Sequence, residues 1–362
     1  MRAVVVGATG AHGRRVASEL IRSPDVTGLL LIARSSDPLE QMTSHLGGPR
    51  RNIAHIAADA TADVLAGHDV VVCCSSSAQT KWVEAAIGAR VGCVALEDHP
   101  TAWDSVTGLD ERAREGGVTV AAGCGFSPGI TNLMAVLASE ELERVDSLAL
   151  TVARSLGDTD GRSSALELLE LFAGASGAPD GPLTDDPGHL PKLVYLPEPI
   201  AWIETFRAGH PETISLPRRF ADLRSVEYRI GLTERAGTDI ARVAAALGLA
   251  RSRLGRKAWL RVATSGRPLL GLLAVGAGSW SGARVDAKGE RAGRPASVTI
   301  GVVDHLSNLV PLMAVRAALQ LGTGAAVRPG VHAPEELFGA RSTLAVLGDR
   351  GIRIARLEAE PV

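Results

Sequence analysis

Aromatic side chains are scarce in this 362-residue sequence, where Phe, Trp and Tyr together make up only 3%. A core with so few large rings must be filled by small aliphatics, as buried parallel strands under closely packed helices usually are. Cysteine is sparse too. Cys73, Cys74, Cys93 and Cys124 all fall in the first third, within or beside apolar runs. Their spacing suits neither a metal site nor a disulfide framework, so buried reduced thiols and no metal are expected. Neither sign of charge is in excess: 38 Lys and Arg stand against 40 Asp and Glu, a net charge of -2. No large positive field exists to hold a polyanion, and nucleic acid is therefore not an expected partner. Long hydrophobic runs are also missing. The longest uncharged apolar stretch, Leu269 to Trp280, is too short and glycine-rich to cross a bilayer, so no membrane partner is expected. The apolar opening stretch stops at Gly7 without the length or cleavage site of a signal peptide, which leads us to expect a cytoplasmic protein.

What is present is a globular balance of 46% hydrophobic and 22% charged residues with 40 glycines. At roughly 150 residues per domain, the length suggests two domains. The aliphatic run Ala3-Val4-Val5-Val6 meets Gly7-Ala8-Thr9-Gly10-Ala11-His12-Gly13, a GxxGxxG motif, and Val16, Ala17, Leu20 and Ile21 then recur at helical spacing. Strand, glycine turn and amphipathic helix in that order let a pyrophosphate approach the backbone and meet free N–H groups at the helix start. Gly7, Ala8, Thr9, Gly10, His12 and Gly13 are the candidate cradle, with Ser75 after the fourth strand beside them. Further aliphatic strands at 28–33, 52–57, 69–74, 91–96 and 118–122 alternate with helical patterns, predicting an α/β fold with a parallel Rossmann sheet.

Cofactor preference is read at the end of the second strand. A carboxylate there would hold the ribose hydroxyl of NAD, but the sequence is Ala33-Arg34-Ser35-Ser36. A guanidinium and two hydroxyls suit a 2′-phosphate, so NADP(H) is favoured over NAD(H). Asp59, after the third strand, is placed to flank the adenine or to cap a helix.

After the sixth strand comes Gly123-Cys124-Gly125-Phe126-Ser127-Pro128-Gly129-Ile130-Thr131-Asn132. Ser127 reads as an N-cap and Pro128 as the first helical residue, ahead of the apolar stripe Ile130, Leu133, Met134 and Leu137. With the glycine turn, the segment from Leu109 to Ala135, the stretch Gly209-His210-Pro211-Glu212-Thr213 and the late Gly330-Val331-His332-Ala333-Pro334-Glu335, this junction resembles the saccharopine dehydrogenase-like superfamily. That group includes saccharopine reductases, lysine 6-dehydrogenases and carboxynorspermidine dehydrogenases. The resemblance implies a second substrate domain, a terminal segment returning to the Rossmann domain, and oxidoreduction of a C–N bond. Two departures point to an unusual substrate or altered chemistry. Ser127 stands where the family commonly has Asp, and Ala95-Leu96-Glu97-Asp98-His99-Pro100 replaces the aromatics that often follow the fifth strand. Few aromatics near the fifth and sixth strands leave that part of the pocket without stacking surfaces.

The expected domains are a Rossmann NADP-binding domain over 1–130, an α+β domain with a mainly antiparallel sheet over 131–304, and a segment over 305–362 returning to the first. In the second domain, strands are predicted at 145–153, 192–196 and 226–232 and helices at 164–174 and 238–247. A hairpin of 280–287 with 295–303 carries a charged tip at 288–294, and a helix follows over 306–321.

The expected activity is NADP(H)-dependent imine reduction or amine oxidation on a small molecule of amino-acid or polyamine type. The alternatives are a carbonyl or alkene reductase and a non-catalytic NADP(H)-binding protein. Asp98 and His99 are the acid/base candidates, since such groups exchange protons near neutral pH when paired. Cys124 stands at the same level of the sheet, as a residue packed against the cofactor rather than a nucleophile. Ser127, Asn132 and His210 are the substrate-binding candidates. An antiparallel sheet with one uncovered face would favour a homodimer.

Overall fold

Seven short aliphatic strands of the sequence pair side by side, all in parallel. In this computed structural model the described residues are 1–47, 52–75, 79–96, 98–155, 191–220, 222–234, 243–244, 247–249, 252–265 and 280–357. They divide into two units, Met1–Ile130 with Ser307–Gly339, and Thr131–Leu306 with Ala340–Val362. Elements are numbered along the chain.

The first unit holds β1 (Arg2–Val6), β2 (Gly28–Ala33), β3 (Ile53–Ala57), β4 (Val70–Cys73), β5 (Gly92–Ala95), β6 (Thr119–Ala122) and β13 (Gly330–His332). Their order is β13-β6-β5-β4-β1-β2-β3. The intervening helices are α1 (Ala11–Leu20), α2 (Ser36–Leu46), α3 (Ala62–Leu65), α4 (Gln79–Ala89), α5 (Pro100–Thr107) and α6 (Asp110–Glu115). From β1 the chain builds outward through β2 and β3, then restarts on the other side with β4, β5 and β6. The carboxyl ends of β1 and β4 therefore flank a topological switch point, where parallel α/β sheets bind their ligands. Every residue of β4 is fully buried, which explains its unbroken Val-Val-Val-Cys run.

The second unit is built on β7 (Arg144–Arg154), β8 (Lys192–Leu196), β9 (Ala201–Arg207), β10 (Ser225–Leu232), β11 (Ser281–Arg291), β12 (Arg294–Asp304) and β14 (Arg353–Leu357), in the order β14-β12-β11-β7-β10-β9-β8. Only β7 and β10 run parallel. The fold is thus α/β, with a second, mainly antiparallel sheet. The β11–β12 ladder continues to Arg291 and Arg294, so the expected seven-residue tip shrinks to Ala292-Gly293. Both residues have positive φ, +52° and +71°, the twist that a two-residue hairpin needs.

Helix α7 (Ile130–Ser139) starts where the first unit ends, α8 (Glu212–Arg219) and α9 (Arg253–Ser265) belong to the second unit, and α10 (Leu306–Gly322) carries the chain back. After α11 (Pro334–Leu337), α12 (Ala340–Asp349) and β14 leave the first unit again. The expectation that all of 305–362 returns is corrected accordingly. Residues 340–362 join the second unit because β14 pairs with β12 from Val303↔Arg353 to Thr299↔Leu357. The helix predicted over 164–174 and most of that over 238–247 lie outside the described residues. Among the described residues no helix is long and apolar enough to cross a membrane.

Candidate functional site

The glycine turn is shaped by contacts that admit no side chain. Gly7 leaves β1 at φ +74°, and its N–H and that of Ala8 both donate to the Ile32 carbonyl on β2, at 2.9 and 3.1 Å. A methyl group placed at Gly13 would stand 2.2 Å from the Gly7 carbonyl oxygen. One placed on Gly7 would meet the backbone N of Ser75 at 3.1 Å, so the ends of β1 and β4 close on each other here. Helix α1 begins after Gly10, which has no side chain to cap it. Its first-turn N–H groups are left for an anion, and the residues present fit a dinucleotide pyrophosphate. The structure brings Gly7, Ala8, Thr9, Gly10, His12, Gly13 and Ser75 to this one place.

Two neighbours escaped the sequence reading. Arg14 is exposed and its Nε donates to the Thr9 carbonyl at 2.8 Å, which fixes a positive charge at the rim of the turn. Gln79 opens α4, is 5% exposed, and buries its amide oxygen without a hydrogen-bond partner. A buried acceptor of this kind costs free energy unless a donor arrives. Neither residue has a motif of its own to announce it.

Arg34 lies just past β2 with an exposed side chain that pairs with none of the described carboxylates. Ser35 takes the N-cap position of α2 without a side-chain cap bond, and the Ser36 hydroxyl donates to Asp37 at 3.1 Å. Asp59 is exposed beyond the edge strand β3. It is not a helix cap, because Thr61 occupies the N-cap position of α3.

At the other half of the sheet, Asp98 and His99 are half-buried after β5, and Glu97 is outside the described residues. His99 is the N-cap of α5: its Nδ1 accepts the Thr101 N–H at 3.3 Å, which places the proton of the neutral ring on Nε2. Cys124 is fully buried beside β5, its N–H donating to the Ala95 carbonyl. Burial, reinforced by Glu335, pushes its thiol well above the ordinary range, and burial with Cys73 nearby does the same for Cys74. For Cys93 the contact with Cys73, 3.9 Å between sulfurs, adds to burial. The buried thiols of Cys93 and Cys124 should resist Ellman's reagent at pH 8 in the folded protein and react on unfolding. Labelling of Cys124 in the native state would contradict this.

Trp103 of α5 is 1% exposed, and its ring lies 2.9 Å from where a methyl at Gly123 would be, directly under the turn that follows β6. That turn is itself not a helix start. Ser127-Pro128 is a cis peptide, Gly125 N–H donates to the Pro128 carbonyl at 2.9 Å, and Gly129 sits at φ +133°. Ser127 is therefore a turn residue rather than an N-cap, and α7 begins only at Ile130.

In the second unit Asn132 and His210 come together in one buried polar cluster. Asn132 Nδ2 donates to the Ser215 hydroxyl at 3.3 Å, and the Thr131 hydroxyl donates to Glu212 Oε1. His210 Nδ1 lies 2.8 Å from Glu212 Oε2, and its ring stacks on Tyr228 at 3.9 Å and 3°. All six side chains are at most 3% exposed. Thr131, Glu212 and Ser215 were not singled out from the sequence, because α7 and α8 lie some eighty residues apart along it.

A glycine turn at the switch point of a parallel sheet, followed by an uncapped helix, defines a Rossmann dinucleotide-binding unit carrying a second, mainly antiparallel unit. This order of strands and helices is similar to that of solved dehydrogenase structures. The chain matches apo saccharopine dehydrogenase (L-Glu forming) of Saccharomyces cerevisiae over 99% of its length and 100% of that chain, with TM-score 0.66 and 14% identity. It also matches an amine dehydrogenase of Mycobacterium smegmatis over 93% of its length and 96% of that chain, with TM-score 0.53 and 16% identity. No protein-family profile matches the sequence.

Proposed function

We propose that the protein is a nicotinamide-dinucleotide-dependent oxidoreductase acting on the C–N bond of an amino-acid or polyamine-like substrate, with NADP(H) preferred to NAD(H). The observation that carries the reading is the glycine cradle within a fold shared with a saccharopine dehydrogenase and an amine dehydrogenase. Bound there, the cofactor supplies or accepts a hydride. The N–H groups opening α1 hold the pyrophosphate, Gly13 lets the helix sit close enough to offer them, and Arg14 adds charge at the rim. Ser75 and Gln79 offer further polar contacts from the β4 side, and Arg34 with Ser35 and Ser36 receives the 2′-phosphate. Asp98 and His99 exchange protons with the substrate nitrogen, the His99 ring held in place through the Thr101 amide. Asn132 and His210 bind substrate, and Cys124 packs as an inert thiol.

The test is a spectrophotometric screen for cofactor reduction by amines and amino acids, and for its oxidation by their imines. Turnover of carbonyls or alkenes alone would instead make the protein a carbonyl or alkene reductase. Tight cofactor binding with no turnover of any class would make it a binding protein. For cofactor preference, Arg34→Asp should weaken NADPH binding by about 10- to 100-fold, the worth of ~1.5–3 kcal/mol of charge-assisted hydrogen bonds, with NADH affinity nearly unchanged. Equal loss of both, by fluorescence titration, would show that Arg34 reads no phosphate.

A further inference from the structure

We propose that the first unit carries a second binding site, for a small organic carboxylate, at the amino ends of β1, β2 and β3. The proposal goes beyond the reading above and does not rest on it, since the dinucleotide cradle lies at the carboxyl ends of the same sheet.

A gap in the cover of the sheet creates the space. Parallel sheets are ordinarily covered on both faces by their crossover helices. Between β3 and β4, however, α3 has only four residues, Ala62–Leu65, and it packs on α4, where a methyl at Gly88 would meet Ala62 Cβ at 3.4 Å. The registers Arg2↔Gly28, Val4↔Leu30 and Leu30↔Ala54 set Arg2, Gly28, Leu30 and Ala54 on one face. There Leu30 is only half-buried and Ala54 is exposed, although β2 is an inner strand. Over them lies a cavity of about 450 Å³, walled by Thr27, Asn52 and His68 as well. Gly28 keeps it open: a methyl there would meet only Arg2 Cγ and the Asn52 carbonyl oxygen, both at 3.7 Å.

Charge decides what class of ligand this cavity suits. Among the described residues no acidic side chain lines it. The Arg2 guanidinium makes no hydrogen bond or ion pair with the described residues; Asp69 Oδ2 accepts the backbone N–H of Arg2 instead, at 2.6 Å. His68 is tied through Nδ1 to the Leu65 carbonyl at 3.2 Å, which holds its ring in the wall without adding negative charge. Asn52 Nδ2 donates to the Thr27 carbonyl at 3.1 Å and keeps a second N–H for a ligand. One guanidinium matches one carboxylate in a two-bonded fork, whereas a phosphate dianion would call for a second fixed cation. Leu30 and Ala54 suit a short aliphatic body on that carboxylate, because contact with it removes their apolar surface from water. Arg2 is the contact for the charge and the uncovered sheet face the contact for the chain.

The experiment titrates the full chain with hexanoate and with hexanamide, its uncharged counterpart of equal chain length, followed by ligand-detected NMR. Hexanoate should bind saturably and about five- to tenfold more tightly than hexanamide. Arg2→Gln should erase that difference and leave hexanamide affinity unchanged. Gly28→Val, which fills the floor of the cavity, should abolish binding of both probes without lowering the melting temperature. If it does melt lower, Ala54→Phe at the neighbouring exposed position blocks the same space and decides. Saturating NADPH should leave the hexanoate titration unchanged. Absence of saturable hexanoate binding, equal affinity for the two probes, a preference that survives Arg2→Gln, binding that survives filling of the floor, or displacement by NADPH would each overturn the site. Failure of the redox reading would leave these results untouched, and their failure would leave that reading standing.

Discussion

Gly13→Ala is expected to abolish dinucleotide binding while lowering stability by about 1–3 kcal/mol, the usual cost of forcing a methyl group into a packed site. The added carbon would stand 2.2 Å from the Gly7 carbonyl oxygen and 2.8 Å from Ala8 Cα, both backbone atoms that cannot rotate away. Helix α1 must therefore back off from the turn, and its N–H groups leave the position in which they hold a pyrophosphate. Fluorescence titration with NADPH and a thermal melt measure the two effects separately. If Gly13→Ala bound cofactor as the wild type does, the turn could not be the pyrophosphate site.

Glu227→Gln should be the most damaging change in the second unit outside the apolar core. Its carboxylate accepts from Arg229 Nη1 at 2.6 Å and Arg207 Nε at 3.0 Å; Arg229 is 4% exposed and turns its other nitrogens to Thr205. Removing the charge takes an ionised acceptor away from a buried guanidinium. A fully buried pair broken in this way costs ~3–5 kcal/mol; with Glu227 24% exposed, solvent screening brings the expectation to about 2 kcal/mol. Burial by itself would raise the Glu227 carboxyl, but the hydrogen bonds from Arg229 and Arg207 outweigh it and hold it below the ordinary value of 4.5. Because the folded carboxyl is lowered, its stabilisation is fully present above the unfolded value and disappears as pH falls through the folded one. Urea melts of wild type and variant should thus differ at pH 7 and converge as the pH falls through the lowered folded value, which lies below 4.5. Parallel curves across that range would mean that the Arg229–Glu227–Arg207 network contributes nothing to pH-dependent stability.

The legible parts of this protein were those written in consecutive residues. Strand, glycine turn and helix follow one another within the first twenty positions, and β8 and β10 each show as a short hydrophobic run between breakers. The α8 helix was missed because Pro217 interrupts its pattern, and it is held instead by packing on β10 and by Thr131 and Asn132 of α7. Ser127-Pro128 misled for a related reason. A Ser-Pro pair ahead of an apolar stripe is a good helix start locally, yet here Gly125 and Gly129 close a tight turn across it. His99 illustrates both sides of the problem: its position after β5 was readable, but its service as a helix cap depends on the geometry of the Thr101 amide.

By itself, then, the amino-acid order determined a Rossmann unit with a GxxGxxG cradle, a basic residue at the end of β2 and a core of small aliphatics, since each follows from local periodicity and backbone freedom. Only the tertiary structure decided that Trp103 lies beneath the turn after β6, that β14 crosses back to pair with β12, and that Thr131, Asn132, His210, Glu212 and Ser215 share one buried cluster. These are contacts between residues some twenty to eighty positions apart. They arise where whole sheets and helices must satisfy buried polar groups and fill space together, a condition that no short stretch of sequence carries alone.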